Sequence, residues 1–520
     1  MNTNTFANII DKQSRFGITE NGADVLNNTK HAIVDLFSTA HTFRDQPNKV
    51  VKLFENVIKE EGIDDAIKLM FYIRDIKEGM GERSVFKTLL AYVANNYAND
   101  LIPYLSLISK LGRWDDYYVI LEHVNKDNPA YHAVINIIRN QYESDLMNAF
   151  VRKPISLMAK WLKSINASNA HARKLAKLTA KILIGYKKDY LRIYRQNLAY
   201  LRKRLNVVET DMCSNNWNDI DYKHVPAKAM LRYKNAFNKH DGEKFKDYLE
   251  NVACGKNKIN AGTLFPSDII KNIDFALMQH YYHFYNGETL NKLMSKSAID
   301  TLNVLWKSLP NYVSGNHNAL VMADVSESMS GNPINSSVGL GIYFAERNTG
   351  PFNNKLMLFA SDPKIINFDD CNDLYSKVVK VSQQDIGYTT NIKKAFEYIL
   401  QLAVDNNIHN DEMIQSLIII SDMQFDRISD MDMPKQTFYN KMKQLYAQHG
   451  YKLPKIVFWN VAENNNKYGC FHADSNTNNV IHIGGYSAAA FKTIFKLSEG
   501  VTPYQLVKEV INSERYSVNG

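Results

Sequence analysis

The chain has 520 residues, of which 45% are hydrophobic and 22% are charged, and this composition excludes a wholly disordered protein and predicts about two to four domains. Its net charge of +8 is uneven, because residues 1–310 hold 44 basic and 33 acidic residues whereas residues 311–520 hold 18 and 21. Without an apolar run of about 18 residues or a secretion signal, we expect a cytoplasmic protein that contacts no membrane.

Residues 1–310 have the apolar spacing of α-helices. Two examples are VVKLFENVIKEEGIDDAIKLMFYIRDI (50–76) and SVFKTLLAYVANNY (84–97), where apolar residues lie three and four positions apart. Turn signals such as GMGER (79–83) and LGRWDD (111–116) separate such stretches. Helices joined by short loops predict an all-α domain over residues 1–310, stacked as a solenoid that is open or closed into a ring.

A basic stretch within this domain is the first candidate site. Residues 151–200 contain 12 Lys and Arg and one acid, and four of the lysines would share a helix face if that helix continued past Gly185. A polyanion such as RNA would relieve their repulsion, and neighbouring tyrosines are either stacking surfaces for bases or core anchors. A solvated basic face fits the composition equally well. The candidate RNA-binding residues are Lys174, Lys177, Lys181, Lys187, Lys188, Arg192, Arg195, Arg202 and Lys203.

After residue 315 the pattern changes to short apolar runs that alternate with amphipathic helices. The runs read as buried strands at ALVMADVS (319–326), KLMLFAS (355–361), SLIIISD (416–422) and KIVFWNV (455–461). This alternation predicts an α/β domain with a parallel sheet, in which ligands bind beyond the carboxyl ends of the strands.

Oxygen-bearing side chains follow these strands. Asp324, Ser326 and Ser328 come at the end of the first strand, Asp422 ends the third, and Thr390 precedes a helix. One or two carboxylates with several hydroxyls suit Mg²⁺, although the same residues also form metal-free turns. No nucleophile and base follow a recognisable catalytic order and this set lacks a histidine, so we expect no enzyme.

The order of these loops resembles the metal-ion-dependent adhesion site of von Willebrand factor A domains. The resemblance implies an A domain over residues 316–515 that binds Mg²⁺, Mn²⁺ or Ca²⁺ and a protein partner that presents an acidic group to the metal. Glu327 departs from the family, because many members have glycine there. The implied ligands are Asp324, Ser326, Ser328, Thr390 (or Thr389 if the alignment shifts by one) and Asp422, the last often through water.

The N-terminal motifs resemble the TROVE module, the ring of HEAT-like helices in the Ro autoantigen. YIRDIKEGMGERSVF (72–86), LGRWDD (111–116) and residues 202–241 carry this resemblance, and the last resembles a TROVE-like branch of plants and large viruses. It covers about residues 30–510 and implies binding of small non-coding or structured RNA. Within RDIKEGMGER we expect the charged residues to pair across an interhelical turn rather than to contact RNA.

Together these patterns predict a Ro-like RNA-binding protein, a ribonucleoprotein component with a metal-dependent, protein-binding A domain. The alternative is a protein-assembly module, of viral or cellular origin, that has no role with RNA. In that case the helical part binds protein and its basic face is incidental.

Overall fold

The computed structural model describes residues 16–273, 294–313, 315–359, 361–384, 391–426, 438–463, 470–496 and 500–518. Within these ranges helices dominate as far as residue 307, and a six-stranded sheet with flanking helices follows from residue 319. The prediction of a helical part followed by an α/β part is therefore confirmed. No helix in these ranges combines the length and the hydropathy that crossing a bilayer requires.

The N-terminal part begins with a hairpin of two short strands and continues with helices. The hairpin strands are β1 (Phe16–Ile18) and β2 (Asp24–Leu26). The helices are α1 (Ala32–Thr39), α2 (Pro47–Glu61), α3 (Ile63–Arg74), α4 (Ser84–Asn96), α5 (Ala98–Leu101), α6 (Leu107–Leu111), α7 (Tyr118–His123), α8 (Pro129–Phe150), α9 (Met158–Trp161), α10 (Ala170–Ile184), α11 (Tyr190–Arg204), α12 (Val208–Cys213), α13 (Ala227–His240), α14 (Gly242–Ala253), α15 (Pro266–Ile270) and α16 (Lys296–Lys307).

Local sequence explains where these helices begin and end. Helix α2 starts at a proline and buries Val50, Phe54 and Val57, a spacing of four and three that forms one helix face. Gly62 has a φ of 90° and separates α2 from α3, so the long apolar stretch at 50–76 forms two helices. Helix α10 ends in the same way, because Gly185 has a φ of 78°.

The C-terminal part is a sheet covered by helices. Its strands are β3 (Ala319–Asp324), β4 (Lys355–Phe359), β5 (Lys364–Asn367), β6 (Ser416–Ser421), β7 (Lys455–Asn460) and β8 (Val480–Gly484). Its helices are α17 (Asn332–Arg347), α18 (Leu374–Ser382), α19 (Ile392–Asp405), α20 (Phe438–Gln448), α21 (Ala490–Lys496) and α22 (Pro503–Ile511). The four predicted strands correspond to β3, β4, β6 and β7, whereas β5 and β8 were not predicted.

The sheet topology brings two polar loops together. The strand order is β5-β4-β3-β6-β7-β8, and every neighbouring pair is parallel except β4 with β5. All six residues of β3 are buried, and Ala323 of β3 lies opposite Ile420 of β6. The carboxyl ends of these two central strands are therefore adjacent, as the sequence predicted for Asp324 and Asp422.

The β1–β2 hairpin packs against this sheet edge. Gly22 forms a bridge with Asp426, and the Thr19 hydroxyl donates to the carbonyl oxygen of Phe425 over 2.7 Å. Helix α1 packs on β8 so closely that a Cβ at Gly484 would lie 2.0 Å from the carbonyl oxygen of Ser38. The hairpin and α1 thus contact the C-terminal part, although they lie within the residue range that was predicted as the helical domain.

The charged residues of RDIKEGMGER pair with other side chains of the protein. The Nε atom of Arg74 donates to Oδ2 of Asp116 over 2.8 Å, and Nη2 of Arg83 donates to Asp115 over 2.7 Å. Asp75 of the same motif accepts from Nη2 of Arg515 over 2.9 Å and so joins the helical part to the C-terminal part. The predicted pairing of the charged residues is therefore observed, with partners that lie on other segments of the fold.

We predict that Asp116→Asn destabilises the helical part by about 3 kcal/mol, because it removes the charge that neutralises two guanidinium groups in a buried network. Asp116 is fully buried and also accepts from Nε of Arg83 over 3.3 Å. The matched control is Asp127→Asn, because Asp127 is exposed. Thermal unfolding checks the prediction, and equal melting temperatures for the two variants would contradict it.

Candidate functional site

Asp324 lies in a hydrogen-bond network at the carboxyl ends of β3 and β6. Its Oδ1 atom accepts from the hydroxyl of Ser326 over 2.6 Å and from the Ser326 amide over 3.0 Å. Its Oδ2 atom accepts from the hydroxyl of Ser421 over 2.5 Å, and that hydroxyl lies 3.5 Å from Oδ1 of Asp422. A single hydroxyl thus lies between the two predicted carboxylates, so they share one site.

The remaining predicted ligands differ in their placement. The hydroxyls of Ser326 and Ser328 are 3.2 Å apart, and Ser328 is exposed, so the network reaches solvent on its side. Thr390 and Thr389 lie outside the described residues. Two of the three predicted loops therefore converge, and Ser421 adds a hydroxyl that the sequence analysis missed although it directly precedes Asp422.

The two carboxylates disfavour each other's charge. Burial and, to a lesser extent, the neighbouring charge of Asp422 together raise the pKa of Asp324 to about 7. Burial also raises the pKa of Asp422, against the hydrogen bonds that it accepts from the Gln424 amide and from Ser328. A cation bound between the two carboxylates would reverse this effect, because it favours their ionised forms.

The chemistry of the donors is that of a hard-cation site. In the described ranges no cluster of three or more His, Cys, Asp or Glu side chains is arranged to hold a metal, and the other donors beside the two carboxylates are hydroxyl groups. Two carboxylates with hydroxyl neighbours match the preference of Mg²⁺, which keeps several waters, and differ from the thiolate and imidazole sets of structural zinc.

A second candidate site is an open groove between α8 and α10, which we call the basic groove. Its volume is about 650 Å³. The groove is lined by Lys126, Tyr131, Arg139, Ala170, Arg173, Lys174, Lys177, Leu178, Lys181, Ile182 and Tyr186. It contains three of the predicted RNA-binding lysines, Lys174, Lys177 and Lys181. It also contains Lys126 and Arg139 from other segments and Arg173 of α10, none of which the sequence analysis singled out.

The predicted lysines do not all lie on one face. Lys174, Lys177 and Lys181 are exposed on the same side of α10. Because α10 ends at Ile184, Lys187 and Lys188 lie in the turn before α11, and the single face of four lysines that required an uninterrupted helix is not formed.

Helix α11 mixes surface and structural cations. Arg192, Arg195 and Lys203 are exposed, and Nη2 of Arg192 lies 3.2 Å from Asp189. Arg202 instead donates to the carbonyl oxygen of Ala159 over 3.0 Å and fixes the segment after α9 through further hydrogen bonds. The guanidinium group of Arg202 therefore has a structural role, because its donors are used in hydrogen bonds within the protein.

The tyrosines divide between the two roles that were left open. Tyr194 is fully buried and its hydroxyl donates to the carbonyl oxygen of Lys163 over 2.7 Å, so it is a core anchor. Tyr186 is 86% exposed and lines the basic groove. Tyr186 lies in the turn after α10, whereas Tyr194 lies within α11.

The positive charge of the groove is not compensated locally. Ion pairs near it join Lys163 to Asp115 and His171 to Glu122. In the part of the chain that the structure describes, Lys174, Lys177 and Lys181 form no ion pair with a carboxylate, while Lys181 lies 5.4 Å from the centre of the Tyr186 ring. A row of unpaired cations is the electrostatic signature of a surface that binds a polyanion.

Comparisons with known proteins agree with this two-part organisation. Residues 121–315 match the model of a domain of unknown function (DUF2828), and residues 318–516 match that of another (DUF7788). Uncharacterized protein L728 of Acanthamoeba polyphaga mimivirus is 26% identical over 548 residues, covering 97% of this chain and 91% of the relative.

Among solved structures, the Ro (RSR) protein of Deinococcus radiodurans aligns with 91% of this chain and 95% of its own, at 14% identity and a TM-score of 0.37. The two domain matches and the viral relative cover nearly the whole chain. Over most of its length the chain is therefore similar to an uncharacterized protein of a large virus, and its two parts match two domain models of unknown function.

Proposed function

We propose that this chain is a cytoplasmic, Ro-like RNA-binding protein and a component of a ribonucleoprotein. RNA binds on the basic surface of the helical part, and the protein acts by binding rather than by catalysis. The single observation that carries this proposal is the basic groove, where the ammonium groups of Lys174, Lys177 and Lys181 have no carboxylate partner among the residues that the structure describes.

The chemistry of the groove favours a nucleic acid over an acidic protein. When lysines bind to phosphate groups, they displace the counterions that are condensed on the nucleic acid. The release of these counterions favours binding to a row of cations. Exposed tyrosine adds a planar surface that nucleobases use and that an acidic peptide does not need. Tyr186 lies beside the lysines in this groove, so both elements occur together.

We further propose that the C-terminal part is an A domain that binds Mg²⁺, or Mn²⁺ or Ca²⁺, through its adhesion site. Asp324, Ser326 and Ser328 would contribute directly, Asp422 would act directly or through water, and Thr390 would complete the set. The shared hydroxyl of Ser421 between the two carboxylates supports this proposal. The bound metal would recruit a protein partner through an acidic group of that partner.

Titration with RNA at several salt concentrations tests the RNA proposal. We expect the logarithm of the affinity to fall linearly with the logarithm of salt, with a slope of about −3 or steeper, because at least three cations replace counterions. A protein that ignores both single-stranded and structured RNA at 50 mM salt would contradict the proposal and favour the protein-assembly alternative.

Binding of Mg²⁺ is expected to strengthen as the pH rises from 6 to 8. The folded pKa of Asp324 is raised to about 7, so the contribution of this carboxyl group to metal-free stability is fully present below its unfolded pKa and is lost as the pH rises through about 7. Above about pH 7 the ionised Asp324 is free to bind the metal without releasing a proton. The increase in melting temperature on adding Mg²⁺ should therefore be larger at pH 8 than at pH 6, and the opposite order would contradict the assignment.

A further inference from the structure

We infer that the basic groove binds an unpaired segment of the nucleic acid, with one base stacked on Tyr186 and the adjoining phosphates on the lysines of α10. This inference rests on the proposed RNA binding and adds to it the site, the class of strand and the residue that recognises the base. Three features of the groove support it: the exposure of one aromatic ring, the arrangement of the cations and the small size of the groove.

The ring of Tyr186 is available to a ligand. It follows Gly185 in the turn after α10, and 86% of its surface is exposed, the largest value among the exposed large hydrophobic residues of the described chain. The ammonium group of Lys181 lies 5.4 Å from its centre, which limits the positions of the ring. A ring held in water without core contacts contributes little to folding, whereas it provides a flat surface for a base.

The cations continue from this ring along one side of the groove. Lys181, Lys177 and Lys174 follow one another on α10 at helix rises of about 6 and 4.5 Å. A strand that runs along this row meets one cation after another while its terminal base reaches the ring. Lys126 and Arg139 add positive charge to the lining, and Arg139 is held there by a hydrogen bond of 2.8 Å from Nε to the carbonyl oxygen of Ile182.

The shape of the groove selects an unpaired strand over a duplex. Its volume of about 650 Å³ is in the range of sites for small ligands and nucleotide-sized groups. In an A-form duplex the bases are stacked inside the helix and the deep major groove does not admit side chains. A base can therefore stack on Tyr186 only where the RNA is unpaired, at an end, a loop or a bulge.

The test compares two RNAs and three substitutions in the full-length chain. The RNAs are a 12-nucleotide oligouridine and a blunt 12-base-pair duplex, and the variants are Tyr186→Ala, Tyr186→Trp and Tyr200→Ala. Tyr200 is the matched control, because it is 43% exposed on α11 and does not line the groove. Binding is measured by fluorescence anisotropy, and the melting temperature of each variant is measured in parallel.

We expect Tyr186→Ala to weaken binding of oligouridine by roughly 10-fold or more, the size of one lost base stack, and to leave duplex binding unchanged. Tyr186→Trp should retain the affinity, and its indole fluorescence should be quenched when oligouridine binds. Tyr200→Ala should bind like the unmodified protein, and all three should melt at the same temperature because both tyrosines are exposed.

The experiment distinguishes failure of the stacking inference from failure of the proposed RNA binding. If Tyr186→Ala binds oligouridine as well as the unmodified protein does, the stacking inference is overturned, while RNA binding by charge remains. If the unmodified protein binds neither RNA, both the inference and the proposed function are overturned. Equal losses for oligouridine and duplex would also overturn the inference, because they would indicate a residue that does not distinguish unpaired bases.

Discussion

Simultaneous replacement of Lys174, Lys177 and Lys181 by glutamate is expected to weaken RNA binding by at least about 100-fold at 0.1 M salt. These lysines form the exposed row of α10, and no carboxylate pairs with them in the described part of the chain. Each lysine that contacts a phosphate accounts for about one unit of the salt dependence, so the slope should also become shallower by about 3. Reversal to glutamate adds repulsion to the loss of these contacts.

The same variant should fold normally. The three side chains point to solvent, whereas Leu175, Ala176 and Ala180 form the buried face of α10. We therefore expect a melting temperature within about 2 °C of the unmodified protein, because surface substitutions usually change stability by less than about 0.5 kcal/mol.

A second triple variant separates a specific groove from a diffuse positive field. Lys239, Lys246 and Lys256 are exposed elsewhere in the helical part, so replacing them by glutamate makes the same change in net charge. This control should lose much less affinity than the groove variant. Equal losses for the two triples in a binding titration would contradict the assignment of the groove.

Asp324→Asn is expected to abolish the stabilisation that Mg²⁺ gives to the protein. In the unmodified protein a metal at 100 times its dissociation constant stabilises the folded state by about 2.7 kcal/mol, and this increment requires the central carboxylate. Asparagine is nearly the same size but lacks the charge and presents an amide towards Ser326 or Ser421, both of which donate to Asp324.

The metal-free Asp324→Asn variant provides a second readout. Because burial and Asp422 oppose the charge of Asp324 above its raised pKa, removal of that charge should relieve a repulsion at pH 8. The loss of the Mg²⁺ response should therefore occur without a comparable loss of metal-free stability. Asp411→Asn makes the same change on an exposed residue and should keep the full response. A normal Mg²⁺ response in Asp324→Asn would refute the site.

The sequence predicted those parts of the molecule that depend on local pattern. The continuous apolar runs identified β3, β4, β6 and β7 because strands buried on both faces carry apolar residues at successive positions. The carboxyl ends of parallel strands lie at one sheet edge, so the proximity of Asp324 to Asp422 also followed from the sequence.

Other features depend on contacts between distant segments. Strand β8, Val480–Gly484, is a short run that contains a histidine, so its sequence pattern is weak. It forms a strand by pairing in parallel with the edge of β7. The pairing of the N-terminal hairpin with the loop after β6 joins residues about 400 positions apart and leaves no local pattern.

The basic groove shows the same limit at a candidate site. Lys126 and Arg139 join the lysines of α10 only through the packing of α8 against α10. Arg202 has the same charge as its neighbours on α11 and a similar helical position. Its guanidinium group nevertheless donates hydrogen bonds to the carbonyl oxygens of Ala159 and Leu162. Composition identifies the basic region, and only tertiary contacts separate the exposed cations of the groove from the structural ones.

Ultraviolet cross-linking of the full-length protein to bound RNA, with mass-spectrometric mapping of the cross-linked peptides, tests RNA binding in the basic groove most directly. We expect the cross-links to be concentrated in the peptides that contain residues 126–139 and 170–188, with Tyr186 among the modified residues. Cross-links confined to residues 311–520, or none at all with RNA in excess at low salt, would contradict it.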